Sequence, residues 1–205
     1  MNYFLTTRVV VKMKYIYIMK SEVLYTCHSG GAIGADSYFE HFANEFGVQV
    51  VAYSYRTKHH QSNNKFELTR EQYNEGVLQV YKANEFLKRT KFQPYLPLLA
   101  RNWFQVKNVS EVFAIVKFKK SNSSVAIQGG TAWAVQMAIQ SKKKVFIYNQ
   151  ELQQWYQYNY ERFSFQPYNE QLKISCTNFA GIGTRKINIF GIQAIEDLFK
   201  NTFTI

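Results

Sequence analysis

The chain contains very little cysteine. Of its 205 residues only Cys27 and Cys176 are cysteines, and they form neither a CxxC pair nor a cluster with histidine at metal-ligand spacing. This excludes a disulfide-stapled scaffold and a cysteine-based zinc site. We therefore expect two free thiols in a reducing, cytoplasmic setting, and neither a metal nor an organic cofactor.

Long apolar runs are also missing. No segment is long enough and apolar enough to cross a bilayer, so no membrane partner is predicted. The early run RVVVKMKYIYIM contains Lys12 and Lys14, which the core of a signal peptide would not carry. We interpret residues 1–20 as an N-terminal extension or an extra strand, and residues 21–205 as a single domain.

Acidic residues are scarce relative to basic ones. Fourteen Asp and Glu stand against 25 Lys and Arg, a formal net charge of +11. Such an excess favours anionic partners, namely nucleotides, nucleic acid or phosphorylated metabolites. The basic residues are scattered, and the short clusters at 117–120 and 142–144 flank apparent strands, so charge alone does not indicate a nucleic-acid surface.

The order of hydrophobic patterns predicts an α/β fold. Five β-rich runs are recognised, at 22–28, 48–55, 112–118, 145–149 and 173–183. Five helical patterns lie between or after them, at 36–46, 68–89, 93–108, 129–144 and 187–203. This alternation is typical of a Rossmann-like, mostly parallel sheet with helices on both faces.

The remaining segments have turn composition. Loops are predicted at 56–67 and 121–124, and loops with one or two short strands at 150–172. Thr69 is placed to cap the helix at 68–89, because Glu71 and Gln72 follow it in the first turn.

Three strands run into glycine-bearing turns followed by helices, at 28–36, 128–131 and 181–185. Parallel sheets bind ligands where such turns gather, at the carboxyl ends of the strands. Helix N-termini there offer free N–H groups to an anion, and glycine lets a phosphate approach the backbone. The turns therefore predict a phosphate-bearing ligand, with a purely structural use of glycine as the alternative.

Four motifs resemble the SLOG superfamily, which includes DNA-processing protein A, the LOG phosphoribohydrolases and many small phage proteins. They are SGGAIGAD at 29–36, LLARNWFQV at 98–106, the GGT-helix-strand unit at 127–149, and FAGIGTR at 179–185. In that family the strand ending in the GTR-like turn precedes the SGGAxGAD turn, whereas here it follows. The resemblance, over about 22–149 and 173–203, implies a circularly permuted SLOG fold.

The resemblance also implies the ligand-binding residues. They are Ser29, Gly30, Gly31, Gly34, Asp36, Arg101, Asn102, Gly129, Gly130, Thr131, Gly183, Thr184 and Arg185. Asp36 is interpreted as a helix cap, as an acceptor for ribose hydroxyls, or as both. Arg185 is either a surface arginine or a bidentate phosphate clamp, and Trp133 either stacks on a base or packs in the core.

A departure from the family pattern bears on catalysis. LOG enzymes carry PGGxGTxxE, and the matching stretch here, QGGTAWAVQ, places Gln136 where the glutamate would be. An amide cannot exchange a proton as a carboxylate does. We therefore expect binding of a nucleotide or an ADP-ribose-like signal without turnover, which for a phage-type member would suit an anti-defence role.

Two other functions stay open. One is an enzyme that cleaves the N-glycosidic bond of a nucleotide with Asp36 or Glu40, which lie one helical turn apart. The other is single-stranded DNA binding, which the net charge permits. The resemblance further implies a homo-oligomer, with apolar residues of 68–89 and 93–108 as the contact face.

Overall fold

The computed structural model describes residues 24–57, 60–120 and 125–204. The extension inferred for residues 1–20 lies outside these residues. The strands are β1 (Thr26–Ser29), β2 (Gln49–Ser54), β3 (Lys65–Glu67), β4 (Glu111–Val116), β5 (Phe118–Lys120), β6 (Val125–Ile127), β7 (Lys144–Asn149), β8 (Gln154–Asn159), β9 (Ser164–Pro167) and β10 (Asn178–Gly183). The helices are α1 (Ala35–Glu45), α2 (Arg70–Leu87), α3 (Leu96–Lys107), α4 (Thr131–Gln140) and α5 (Ile189–Phe203), and a single 3₁₀ turn (Gln93–Tyr95) precedes α3.

The predicted α/β class with a mostly parallel sheet is confirmed. The described residues form one eight-stranded sheet in the order β3-β2-β1-β10-β4-β7-β8-β9. The first six strands of this order, from β3 to β7, are parallel to one another. Strands β8 and β9 add an antiparallel edge next to β7. Of the one or two short strands expected within 150–172, two are present, β8 and β9.

The strand latest in sequence lies in the middle of the sheet. Strand β10 pairs in parallel with β1, where Cys27 faces Phe179, and with β4, where Gly181 faces Phe113. The five central strands can be renumbered so that β10 is strand 1 and β1, β2, β4 and β7 are strands 2 to 5. Read across the sheet from β2 to β7, their order is then 3-2-1-4-5. This is the order of the doubly wound dinucleotide-binding fold.

Helices cover both faces of the sheet. Because successive side chains of a strand point to opposite faces, each central strand contributes to two cores. In β4, Val112, Ala114 and Val116 face a core built with α2, α3 and α4. Phe113 and Ile115 face the opposite core, built with α1 and α5. A strand buried on both faces has no polar side to show, which is why β4 is nearly continuous in apolar residues.

A local signal predicts the start of α2, whereas the helix predicted at 129–144 ends earlier, at Gln140. Thr69 caps α2 as predicted: its hydroxyl accepts from the N–H of Gln72, and the Gln72 side chain accepts from the Thr69 N–H at 2.8 Å.

None of the helices among the described residues combines the length and apolarity needed to span a bilayer.

Two predictions of irregular structure were incomplete. The loop predicted at 56–67 ends in β3, an edge strand that forms because Lys65–Glu67 meets Ala52–Ser54 of β2 in parallel register. The antiparallel pair of β5 and β6 was also missed, since three-residue strands are too short to show a period. The loop predicted at 121–124 lies outside the described residues.

Candidate functional site

A cavity of about 850 Å³ opens at the carboxyl ends of β10 and β4. Its walls are the turn at 183–186 after β10, the turn at 128–131 before α4, one side of α3, and the link between α2 and α3. This is the edge at which open parallel sheets bind their ligands, and the volume is in the range of small-molecule sites.

The cavity is strongly basic. Six cationic side chains line it: Arg89, Lys91, Arg101, Lys117, Arg185 and Lys186. Asp36 is the only carboxylate residue of the lining within the described part of the chain. A concave surface with this charge excess concentrates anions.

The turn at 128–131 presents an open helix N-terminus to this cavity. Gly129 has a φ of 68°, a backbone conformation that favours glycine, and a side chain added there would meet open space. No side chain of the described residues caps α4, and its first N–H groups, like those of any helix, have no intrahelical partner. The positive end of the helix dipole adds to their attraction for an anion.

The three glycine turns are not equivalent. Helix α5 is capped by the Asn188 side chain, which accepts from the Gly191 N–H at 2.9 Å. At the start of α1, the Ala35 N–H donates to the Thr184 carbonyl at 3.0 Å. Among the described residues, α1 and α4 both lack a side-chain cap, but the first N–H of α1 is bonded, whereas the first N–H of α4 has no acceptor.

Asp36 connects the first glycine turn to the last. It lies in the first turn of α1, whose N-cap is Gly34, and its Oδ1 accepts from the Gly183 N–H at 3.1 Å. Its Oδ2 lies 4.0 Å from Nη2 of Arg101. Burial raises the pKa of Asp36 to about 6, although the charge of Arg101 opposes the rise.

Arg101 and Asn102 project from α3 into the same region. Arg101 is buried, and Nη1 donates to the Tyr53 carbonyl at 3.1 Å, while its Nε has no partner among the described residues. Burial lowers the pKa of this guanidinium. Asn102 donates from Nδ2 to the Gly130 carbonyl at 3.2 Å. A buried guanidinium with an unused donor is suited to an anionic ligand.

The structure brings most of the inferred site residues to the cavity. Nine of them line it: Asp36, Arg101, Asn102, Gly129, Gly130, Thr131, Gly183, Thr184 and Arg185. Trp133 also borders the cavity, but at 5% exposure it packs in the core, as the second of its two interpretations expects.

The remaining four inferred residues, Ser29, Gly30, Gly31 and Gly34, do not line the cavity, and Gly30 lies against the side chains of Arg101 and Gln105, which do. Ser29 donates from Oγ to Glu40 Oε1 at 2.6 Å, and both side chains are buried away from the lining. A side chain on Gly31 would overlap the ring of His60. Gly34 has a φ of 102° and lies against the backbone of Thr184 and Arg185. These glycines permit close approach of chain segments, and only Asp36 of the Asp36/Glu40 pair lines the cavity.

Several lining residues escaped sequence reasoning. Arg89, Lys91, Lys117 and Lys186 carry no motif, and Phe92 and Tyr95, which form part of an apolar wall, resemble ordinary packing residues. Proximity in space is what identifies them.

Among the described residues, no group of three or more His, Cys, Asp and Glu side chains is arranged to hold a metal ion.

Comparison of the chain with protein-family models, with curated proteins and with solved structures finds no match.

Proposed function

We propose that the protein binds a nucleotide or a nucleotide-derived, ADP-ribose-like ligand in this cavity and does not cleave it. The observation that carries the proposal is the open N-terminus of α4 within a cavity lined by six cationic side chains. A phosphate group satisfies both features at once.

The rest of the cavity fits the other parts of such a ligand. Asp36 supplies an acceptor for sugar hydroxyls, and Phe92, Tyr95 and Trp133 supply an apolar, aromatic wall for a base. Retention without turnover would suit sequestration of a signalling nucleotide.

Kinship with the SLOG superfamily, in circularly permuted form, is part of this proposal. Its support is topological: β10, which carries the FAGIG motif, lies between β1 and β4, where the first strand of a 3-2-1-4-5 sheet belongs. The hydrogen bond from the Gly183 N–H to Asp36 joins the two family-like turns directly.

A second candidate, hydrolysis of an N-glycosidic bond, is favoured by one observation. The pKa of Asp36 is raised to about 6, so a fraction of this cavity carboxyl is protonated near neutral pH and could act as a general acid. Against it, Glu40 is bonded to Ser29 outside the lining, and Gln136 is also absent from the lining.

Replacing Arg185 with glutamine is expected to weaken ADP-ribose binding about tenfold, because a charge-assisted hydrogen bond to phosphate contributes about 1.5–3 kcal/mol. Isothermal titration calorimetry measures the change. Arg162→Gln is the matched control, since Arg162 is exposed on the β8–β9 turn and does not line the cavity. Equal affinities of the two variants would contradict the proposal.

The same samples separate the alternatives. Chromatography after incubation should show intact ADP-ribose and AMP, whereas release of free base above the background rate would establish the hydrolase instead. Salt-sensitive binding of single-stranded DNA that competes with ADP-ribose would favour the nucleic-acid function.

We also propose that the protein self-associates through the outer side of α2. Leu78, Tyr81 and Phe86 are exposed there, Leu78 by 63% and Phe86 by 66%. We expect Leu78→Glu to shift the protein from dimer to monomer in sedimentation velocity, because a charge would be buried in an apolar contact. Leu152→Glu, at a similarly exposed turn residue, should leave the sedimentation coefficient unchanged, and a monomeric wild type would contradict the proposal.

A further inference from the structure

The carbonyl groups before α4 are held by side-chain donors. Arg89 donates from Nη1 to the Gly129 carbonyl at 2.8 Å and from Nη2 to the Ile127 carbonyl. Asn102 donates to the Gly130 carbonyl at 3.2 Å. Three carbonyls within four residues are therefore engaged, which removes acceptors from the surface that the turn offers to a ligand.

The N–H groups of the same turn are in the opposite state. Those of Gly130, Thr131 and Ala132 have no acceptor among the described residues, and the first one bonded is that of Trp133, to the Gly130 carbonyl at 3.1 Å. In the segment 127–132, which we call the donor turn, three carbonyls are thus occupied, and the free N–H donors lie at its helix end, because the Gln128 N–H is already bonded to the Lys117 carbonyl at 2.8 Å.

Arg89 is itself held at both ends. Its backbone N–H donates to Asn84 Oδ1 at 3.2 Å, and its carbonyl accepts from Asn84 Nδ2 at 2.9 Å. Its guanidinium lies 4.9 Å from the centre of the Trp133 ring, a cation–π contact. Because backbone and side chain are both fixed, the donor turn is organised before any ligand arrives.

We propose that Arg89 is a positioning residue that gives the donor turn its polarity, and that the ligand group bound there is one that only accepts hydrogen bonds. A phosphate or diphosphate qualifies, whereas a sugar hydroxyl, an amide or the donor edge of a base does not. This inference rests on the proposed function and adds an orientation: the phosphates lie at α4 and the sugar hydroxyls point toward Asp36.

The test uses inorganic pyrophosphate as the probe and backbone amide NMR as the readout. In the wild type, pyrophosphate should shift the amide resonances of Gly130, Thr131 and Ala132. Arg89→Met and Arg89→Lys should each weaken its binding about tenfold, because both lose a charge-assisted pair of bonds to carbonyls. Lysine keeps the charge, but its single ammonium cannot reproduce the planar fork. Arg162→Met is the control and should bind as the wild type does.

The outcomes discriminate between the two proposals. Wild-type affinity in Arg89→Lys would overturn the positioning role, since charge alone would then suffice. Pyrophosphate shifts elsewhere, with ADP-ribose binding retained, would overturn the orientation and leave the proposed function standing. Absence of ADP-ribose binding to the wild type would remove the proposed function and this inference together. The wild-type shift map and the lysine variant decide the matter even if Arg89→Met fails to fold.

Discussion

Replacing Gly181 with alanine is expected to destabilise the protein by about 3 kcal/mol, the upper part of the usual range for overpacking a core. An added Cβ would lie 2.3 Å from Cγ of Phe39, in the inner part of a ring that cannot swing aside. Phe39 is fully buried, and Gly181 lies in β10 between two parallel neighbours. Relief would require α1 to move away from the sheet.

Urea unfolding of Gly181→Ala measures this loss. The matched control is Gly129→Ala, where an added Cβ meets nothing within 4 Å and only the φ of 68° is unfavourable. That variant should lose only about 1 kcal/mol, the cost of a left-handed conformation for a non-glycine residue. Equal, small losses would mean that β10 is not held against α1 as described.

ADP-ribose is expected to bind about tenfold more tightly at pH 5 than at pH 8. The corresponding difference in binding free energy is about 1.36 kcal/mol, the equivalent of one pKa unit. The pKa of Asp36 is raised to about 6, first by burial. Above that pH its ionised carboxylate repels the diphosphate and competes for Arg101. Below it the neutral acid does neither, and it keeps an oxygen that accepts from a sugar hydroxyl. ADP-ribose suits the measurement because its diphosphate bridge carries no proton that titrates in this interval.

The control for this pH dependence is Asp36→Asn, which keeps an oxygen to accept from the Gly183 N–H and cannot ionise. Its affinity should vary little with pH and should exceed that of the wild type at pH 8. The charged groups that act on Asp36 are Arg101 of α3 and Glu40 of the same helix. If Asp36→Asn keeps the wild-type pH profile, Asp36 is not the responsible group.

The same pKa shift links pH to folding. The folded-state pKa of Asp36 lies above the value in an unfolded chain, about 3.9. The neutral form is therefore the one that stabilises the fold: its contribution is present below about pH 4 and is lost as pH rises through about 6. Relative to Asp36→Asn, the wild type should lose unfolding free energy over this interval.

Much of the fold follows from local patterns. The capping box at Thr69 and the apolar run of β4 predict their elements because each signal lies within a few residues of its effect. β3 could not be predicted, since Lys65–Glu67 has only three residues, two of them charged, and becomes a strand only through pairing with β2. For the site, the motifs identified nine lining residues. They could not show that the Ser29 and Glu40 side chains are hydrogen-bonded to each other outside the lining of the cavity.

By itself, the sequence determined the α/β class, the basic character of the surface, and the glycines that let turns follow the strands. Only the tertiary structure decided which backbone groups at the helix starts are bonded. The Asn188 side chain caps α5, and the Thr184 carbonyl accepts from the first N–H of α1. The Arg89 guanidinium donates to two carbonyls before α4 that lie 38 and 40 residues further along the chain. Hydrogen bonds between such distant segments depend on how helices and strands pack, and no short-range pattern contains that information.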